Sequence, residues 1–457
     1  MAMGKREKRQ RQQGLWVAAA DLPKSASHPF YQRLNAFLDE NDFDKFCERK
    51  CERFYAAKMG RPGLMPGMYF RLLMLGYFEG IDSERGIAWR AADSLSVRGF
   101  LRLTIEEEAP DHSTISRTRR LMDRETHQEV FGWVLERLAE ADLVKGKTVG
   151  VDATLLEANA AMRSIVRRDS GEGYEQFLTA LAQASGIETP TREDLARLDR
   201  KRKNKASNDD WVNPSEPDGR IAKMKDGSTH IAHKVEHAVD MESGAVLAVV
   251  LHKADAGDTA TVMPTLAEAG EQVAELMAAA ATAAHVSPAG IEEVVADKGY
   301  LSDAVLQEMA EAEVRTYLPE KKGRARDWAG KPEERQRAQA NRRRVGGKRG
   351  KRLLRQRGEL IERSFAHSYE TGAMRRTHLR GHPNILKRLH IHIGALNLGL
   401  LMRCRFGMAK PRQLQGRAAS PAAFFAFARL VLAFLALIGL CHHVPTPAAG
   451  RFGCQAA

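Results

Sequence analysis

Two short apolar runs that each carry an aspartate constrain this chain most. Residues 148–156 read Thr-Val-Gly-Val-Asp-Ala-Thr-Leu-Leu, with Asp152 at the centre, and residues 293–296 are followed at once by Asp297. Their shortness and their β-branched residues predict strands in a buried sheet. Because an ionised carboxylate is costly to bury without a partner, each aspartate needs a cation, a metal ion or another special role.

The segments around these runs predict an α/β domain over residues 145–407. Strands are expected at 230–240, 245–252 and 314–319, and helices at 259–281, 302–312 and 353–369. The last helix follows a basic, glycine-containing stretch at 321–351. Residues 163–228 are polar and helical, with Pro, Asn and Asp breaks, and are therefore predicted to form an insertion.

Residues 28–144 are predicted to form an all-α domain. Three short helical stretches with Ser or Thr at their starts are expected at 83–90, 94–103 and 113–122. The third carries Arg117 and Arg120, which are three residues apart and therefore lie on one face. A short basic helix after two others is typical of a helix-turn-helix, so we expect these two arginines to bind DNA. A charged surface helix without a ligand is the alternative.

The charge distribution points to a polyanionic partner. The formal net charge is +13, and the excess lies mainly in residues 5–11, 200–205, 321–357 and 375–388. Binding to nucleic acid releases counterions and gives affinity that does not depend on sequence. Solvated faces that serve only solubility are the alternative reading of any single run.

The two ends of the chain and its cysteines indicate a reducing, cytoplasmic setting. Residues 1–27 are a basic leader without the apolar core of a secretory signal. Five cysteines at irregular spacing argue against a disulfide framework, and Cys47 and Cys51 lack the second ligand pair of a zinc site. In the tail, 408–457, an apolar helix is expected at 422–440. Arg429 would cost about 2.5–3.5 kcal/mol at a membrane centre, so a membrane anchor is the disfavoured alternative.

A third carboxylate is expected on the helix at 353–369. Glu362 borders its apolar face, and Glu359, one turn earlier, points roughly the same way and stays an alternative. Three carboxylates suit hard cations such as Mg²⁺ or Mn²⁺, and two such ions can activate a water or a 3′-hydroxyl at a phosphodiester. An aspartate at a strand end is more often a cap or a salt-bridge partner, so spacing alone does not identify this site.

The local sequences around these acids resemble the three signatures of DDE transposases from bacterial insertion sequences. They are Val-Gly-Val-Asp-Ala-Thr at 149–154, Val-Ala-Asp-Lys-Gly-Tyr at 295–300 and Leu-Ile-Glu-Arg-Ser-Phe-Ala at 360–366. Segments at 60–90, 110–114, 380–381 and 397–400 resemble flanking parts of the same family. The motifs occur in the family's order over residues 28–407.

The resemblance implies a ribonuclease-H-like catalytic domain with a mixed sheet. Asp152 would lie on the first strand, Asp297 after the fourth and Glu362 on a late helix, where they would hold two Mg²⁺ ions, with Mn²⁺ as a substitute. The implied reaction is cleavage at the ends of a mobile element and joining of the freed 3′-hydroxyl to target DNA. A homodimer or higher multimer on DNA is also implied.

The basic residues near the third signature are expected to hold DNA phosphates. They are Lys298, Arg342, Arg343, Arg344, Lys348, Arg349, Lys351, Arg352, Arg355 and Arg357; Lys298 could equally pair with Asp297. The family's usual Tyr before the glutamate is absent, and Tyr369 stands where a Lys is expected. The Ile-Glu-Arg-x-Phe context favours Glu362 over Glu359. A DNA-binding protein without catalysis, or a nuclease without strand transfer, are the alternative functions.

The remaining polar residues of the predicted sheet receive no part in this chemistry. His230, His233 and His237 lie along one predicted strand, where they are expected to be surface or sheet residues. Asp255 and Asp258 follow the next predicted strand; loop capping is the expected role of both, and shaping of the pocket is the alternative.

Overall fold

A computed structural model describes residues 29–56, 63–202, 207–321 and 328–411. The chain divides into two compact units, 1–409 and 410–457, and every helix and strand given below lies in the first. The predicted leader at 1–27 and the apolar tail helix at 422–440 lie outside the described residues. Within the described ranges, no helix is both long enough and apolar enough to cross a membrane.

The N-terminal part is helical, as predicted. It comprises α1 (Pro29–Glu40), α2 (Phe43–Cys51), α3 (Pro66–Glu79), α4 (Glu84–Asp93), α5 (Leu95–Phe100), α6 (His112–Leu121) and α7 (Arg124–Glu140). Helices α4, α5 and α6 are capped at their N-termini by Ser83, Ser94 and Asp111, whose side chains accept a backbone N–H of the first turn. Helix α3 is buried along most of its length and forms the centre of this region.

The sheet lies in the second half of the chain. Its strands are β1 (Thr148–Glu157), β4 (Arg220–Lys223), β5 (Thr229–Asp240), β6 (Val246–Lys253), β7 (Glu293–Val295) and β8 (Arg315–Tyr317), while β2 (Val166–Arg167) and β3 (Trp211–Val212) form a separate pair. The order across the sheet is β6-β5-β1-β7-β8, and β4 pairs with the start of β5. Strands β1, β5 and β6 are antiparallel, whereas β1, β7 and β8 are parallel. The mixed sheet confirms the predicted α/β class and ribonuclease-H-like architecture.

The remaining helices are α8 (Tyr174–Ala184), α9 (Arg192–Lys201), α10 (Asp258–Ala278), α11 (Asp303–Glu311), α12 (Pro332–Gly346), α13 (Lys348–Phe365) and α14 (His382–Phe406). Thr261 of α10 bonds to Glu236 of β5, and Ser364 of α13 bonds to the next strand residue, His237. Because successive strand residues point to opposite faces, α10 and α13 cover opposite faces of the sheet.

Helix α12 corrects the expectation for residues 321–351, which were expected to form only a basic, glycine-containing approach to the next helix. Pro332 occupies the first helical position, and the helix ends at Gly346. The glycines at 346 and 347 mark a break between two consecutive helices. They do not indicate a long irregular segment.

The insertion between β1 and β5 combines helices with the small β2–β3 pair. Trp211 of β3 contacts the rings of Tyr174 and Phe177 edge-on, with centroid distances of 5.0 and 5.4 Å. The predicted helical content is present in α8 and α9.

Helix α14 joins the helical region to the sheet. Its buried Arg388 donates to the backbone oxygens of Leu73 and Ile81, at 3.2 Å each. Asn397, further along the same helix, exchanges two hydrogen bonds with the backbone of Val246 in β6. The helical region and the sheet therefore pack as one body around this helix.

Candidate active site

Asp152 is the fifth residue of β1 and lies largely within the protein. One carboxylate oxygen accepts the N–H of Ala153 at 2.8 Å, and the other accepts from Nη1 of Arg357 on α13 at 2.9 Å. Burial raises the pKa of Asp152, the Arg357 guanidinium lowers it, and the nearby Asp297 raises it further. Asp152 is therefore a carboxylate whose charge depends on neighbouring cations.

Asp297 reaches the same edge of the sheet from the neighbouring strand. The parallel register pairs Gly150 with Val295, so Asp152 and Asp297 are each two residues further along. Asp297 begins a 3-10 turn, Lys298–Tyr300, and its carboxylate accepts the N–H of Lys298 at 2.5 Å. Asp297 and Lys298 are both exposed, and none of the described ion pairs joins their side chains.

Helix α13 crosses β1 closely at Gly150. A Cβ on Gly150 would lie 2.6 Å from Sδ of Met241, 3.0 Å from Cδ1 of the fully buried Ile361 and 3.5 Å from Cγ of Arg357. The next residue, Glu362, is exposed at the side of this contact. The close approach therefore brings the helix that carries Glu362 against the strand that carries Asp152.

Glu362 and Glu359 differ in their surroundings. Glu362 lines a cavity of about 830 Å³ together with Ala153, Thr154 and Asp258, and Glu359 does not line it. Glu359 pairs with Arg363 at 2.6 Å on the exposed side of the helix. Among the contacts of the described residues, none engages the Glu362 carboxylate. Glu362 is thus the glutamate of α13 that lines this cavity and has no partner among the described contacts.

The donor chemistry at this edge suits a hard divalent cation. Asp297 lies close enough to Asp152 to raise the pKa of Asp152, and Glu362 is a third carboxylate, on the helix that packs against β1. In the structure, the Asp152 carboxylate accepts a hydrogen bond from Arg357. Within the described ranges, no three His, Cys, Asp or Glu side chains lie close enough together to hold a metal ion. Loading a cation would therefore require a local rearrangement around Arg357.

Two protein-family models match the chain and together cover most of it. Residues 19–121 match a transposase domain (DUF772), and residues 175–398 match the transposase DDE domain. The chain belongs to the DDE transposases. Asp297 and Glu362 of this transposase lie within the matched DDE region, whereas Asp152 precedes it, so the role of Asp152 depends on its place in β1. No curated protein matches the chain.

The basic residues that were predicted to bind DNA fall into two groups: those that already bond to other parts of the protein and those that do not. Arg344 donates to the backbone and hydroxyl oxygens of Thr316, Arg349 bonds to the buried Glu293, and Arg342 pairs with the half-buried Glu320. Exposed side chains without such a partner in the described contacts are those of Arg343, Lys348, Lys351, Arg352 and Arg355. Arg117 and Arg120 are both exposed on α6, where they bond only to residues of their own helix.

A buried polar network, which the sequence did not reveal, lies under the Asp297 turn. Glu236 of β5 is fully buried and accepts hydrogen bonds from Thr261 at 2.9 Å, Thr265 at 2.5 Å and Tyr300 at 2.7 Å. Burial and Glu236 raise the pKa of Tyr300 well above its usual value. Because Tyr300 ends the turn that Asp297 begins, the network anchors that turn to β5.

Asp258 completes this network at the cavity. Lys234 of β5 is buried and donates to Asp258 at 2.7 Å and to the hydroxyl of Thr261 at 2.8 Å. A Cβ on Gly299 would overlap the Asp258 carboxylate, which explains the glycine in the Asp297 turn. A lysine and a glutamate two residues apart in a predicted strand were the available sequence signal for these contacts.

Proposed function

We propose that this transposase cuts DNA at the ends of an insertion sequence and joins the freed 3′-hydroxyl to target DNA. Asp152, Asp297 and Glu362 are the proposed catalytic carboxylates. The observation that supports this most directly is the approach of β1, β7 and α13, which brings Asp152 beside Asp297 and leaves Glu362 unpaired at the adjoining cavity. The DDE-domain match over Asp297 and Glu362 supports the same assignment.

The three carboxylates would hold two Mg²⁺ ions, for which Mn²⁺ can substitute. Bound ions of this kind lower the pKa of water and offset the charge that develops on a phosphodiester. The chain's own contribution is to orient the carboxylates and to supply cations beside them. Arg357, which holds Asp152, and Lys298, next to Asp297, are the proposed phosphate-binding side chains nearest to the reaction.

DNA would be held by two further groups of side chains. Arg117 and Arg120 on α6 are exposed on one face of a short helix, as a helix-turn-helix contact requires. The exposed basic residues of α12 and α13 would hold backbone phosphates near the carboxylates: Arg342, Arg343, Lys348, Lys351, Arg352 and Arg355. The half-buried Arg344 and the exposed Arg349, which pairs with the buried Glu293, would instead keep these helices on the sheet. We also propose that two or more copies of the chain act together on DNA of the bacterial nucleoid.

A strand-transfer assay tests this function. A labelled duplex that carries the element's end and an unlabelled circular target are incubated with the full chain in Mg²⁺, in Mn²⁺ and in EDTA. The expected result is a nick at the end of the element and labelled DNA joined to the target, both only with a divalent cation. Cutting without joining would indicate a nuclease. Retarded DNA mobility without any cutting would indicate a non-catalytic DNA-binding protein.

A further inference from the structure

His237 connects strand β5, which pairs with the strand of Asp152, to helix α13, which carries Glu362. It lies in β5 directly opposite Asp152 in the antiparallel register, and its side chain is fully buried. Side chains of paired residues lie on the same face of a sheet, so the imidazole lies beside Asp152 and under α13.

Both ring nitrogens of His237 bond to residues that follow Glu362. Nδ1 lies 3.1 Å from the hydroxyl of Ser364, and Nε2 lies 2.8 Å from the hydroxyl of Tyr369. The Phe365 ring packs against the imidazole with its centroid 4.8 Å away. One buried side chain therefore contacts three of the seven residues that follow Glu362.

The direction of each hydrogen bond follows from the neighbours. The Ser364 hydroxyl donates to the backbone oxygen of Ile361 at 2.8 Å, so its oxygen accepts from Nδ1–H of His237. Nε2 then accepts from the Tyr369 hydroxyl, because a neutral imidazole has one donor and one acceptor. Burial lowers the pKa of His237 to about 3, in agreement with a neutral ring.

These bonds fix an irregular segment of the helix. After Phe365 the helix widens into a π-helix, Ala366–Glu370, and the two bonded hydroxyls stand on either side of this change. Turns of this kind occur frequently at functional sites. Tyr369 stands where the family's lysine is expected, and in this chain its hydroxyl faces the imidazole. Without a partner at both hydroxyls, the turn that carries Glu362 could rotate relative to β1.

We infer that His237 is a positioning residue, which sets Glu362 against Asp152 through hydrogen bonds to Ser364 and Tyr369. The inference rests on the proposed function, because it assigns the third carboxylate to Glu362. An apolar residue at position 237 could fill the same space. It could not bond to two hydroxyls in fixed directions, and these bonds distinguish positioning from packing.

Tyr369→Phe tests the inference, because it removes one hydroxyl and keeps the ring. Tyr69→Phe is the matched control, since the Tyr69 hydroxyl makes the same kind of buried bond to Nε2 of His127 at 2.9 Å in the helical region. Mn²⁺ affinity is measured by electron paramagnetic resonance on the full chain without DNA, together with single-turnover cleavage. We expect Tyr369→Phe to lose about 10–100-fold in Mn²⁺ affinity and rate, as outer-shell changes usually do, and Tyr69→Phe to stay within about twofold.

Further variants separate the outcomes. Ser364→Ala removes the second partner with a smaller change, and serves if Tyr369→Phe does not fold. His237→Gln, whose amide can still accept from Tyr369, should recover part of the activity that His237→Leu loses. If the wild type cleaves and Tyr369→Phe and Ser364→Ala match it in Mn²⁺ affinity and rate, the positioning role is wrong and the proposed function stands. If the wild type neither binds Mn²⁺ nor cleaves, both are wrong.

Discussion

Replacement of Arg357 by methionine probes the balance of charge at the candidate site. The methionine keeps the aliphatic stem that lies over Gly150 and removes the guanidinium that Asp152 accepts from. The Arg357 side chain is 14% exposed and the Asp152 side chain is 30% exposed, so solvent screens this ion pair only in part. A hydrogen bond to a charged group contributes about 1.5–3 kcal/mol, and partial exposure places this one at the lower end. We expect a loss of that size in the free energy of unfolding at pH 7.

The loss should depend on pH in one direction. Burial already raises the pKa of Asp152, and removal of Arg357, which lowers it, would raise it further. A carboxyl whose pKa is raised on folding destabilises the folded state above that pKa, and the penalty disappears as the group takes up a proton. The difference between variant and wild type should therefore shrink as pH falls through the folded pKa towards the ordinary value of 3.8.

A divalent cation should act in the opposite sense to the substitution. Without Arg357, Mn²⁺ meets no competing cation at Asp152, so it should bind the variant more tightly and stabilise it more than the wild type. Urea unfolding at pH 7 and at acidic pH, with and without Mn²⁺, measures these changes. Arg363→Met is the control, because its pair with Glu359 is exposed and contributes about 0.2–1 kcal/mol. An unchanged unfolding midpoint, or a loss of equal size at both pH values, would refute the reasoning.

Three further predictions concern other parts of the chain. Tyr300→Phe deprives the buried Glu236 of a donor and should cost about 1–3 kcal/mol in urea unfolding while slowing cleavage more than it weakens DNA binding; equal effects on both would contradict the anchoring role. Gly76→Ala would push a Cβ into the Arg388 guanidinium, and should lower the free energy of unfolding by about 1–3 kcal/mol; a neutral effect would show that Arg388 can move. Arg117→Gln should flatten the dependence of log K on log salt by about 0.9 if this arginine contacts a phosphate, and an unchanged slope would remove it from the interface.

The parts of the fold that were predictable are those determined by local sequence. Strands β1 and β7 were visible because each is a short apolar run, and Asp152 and Asp297 stood out because each interrupts or ends such a run. Helix α12 was missed because a basic segment with glycines and a proline resembles a loop until the positions of those residues relative to the helix ends are known.

The contacts that organise the site could not be predicted, because they join distant segments. The bond from Arg357 to Asp152 spans 205 positions, and that from His237 to Tyr369 spans 132. Such pairs depend on the register of β1 with β5 and on the rotation of α13, which no local pattern fixes. Arg357 was therefore expected to be a DNA contact, and its bond to Asp152 was not foreseen.

The central claim is that Asp152, Asp297 and Glu362 act together. It is tested most directly by cleavage and strand transfer with Asp152→Asn, Asp297→Asn and Glu362→Gln, with Glu359→Gln as the matched control on the same helix. The account predicts that the first three bind the element's ends but neither cut nor join them in Mg²⁺ or Mn²⁺, while Glu359→Gln does both. An active Glu362→Gln with an inactive Glu359→Gln would contradict the assignment of the third carboxylate. Full activity of Asp152→Asn would contradict the site as a whole.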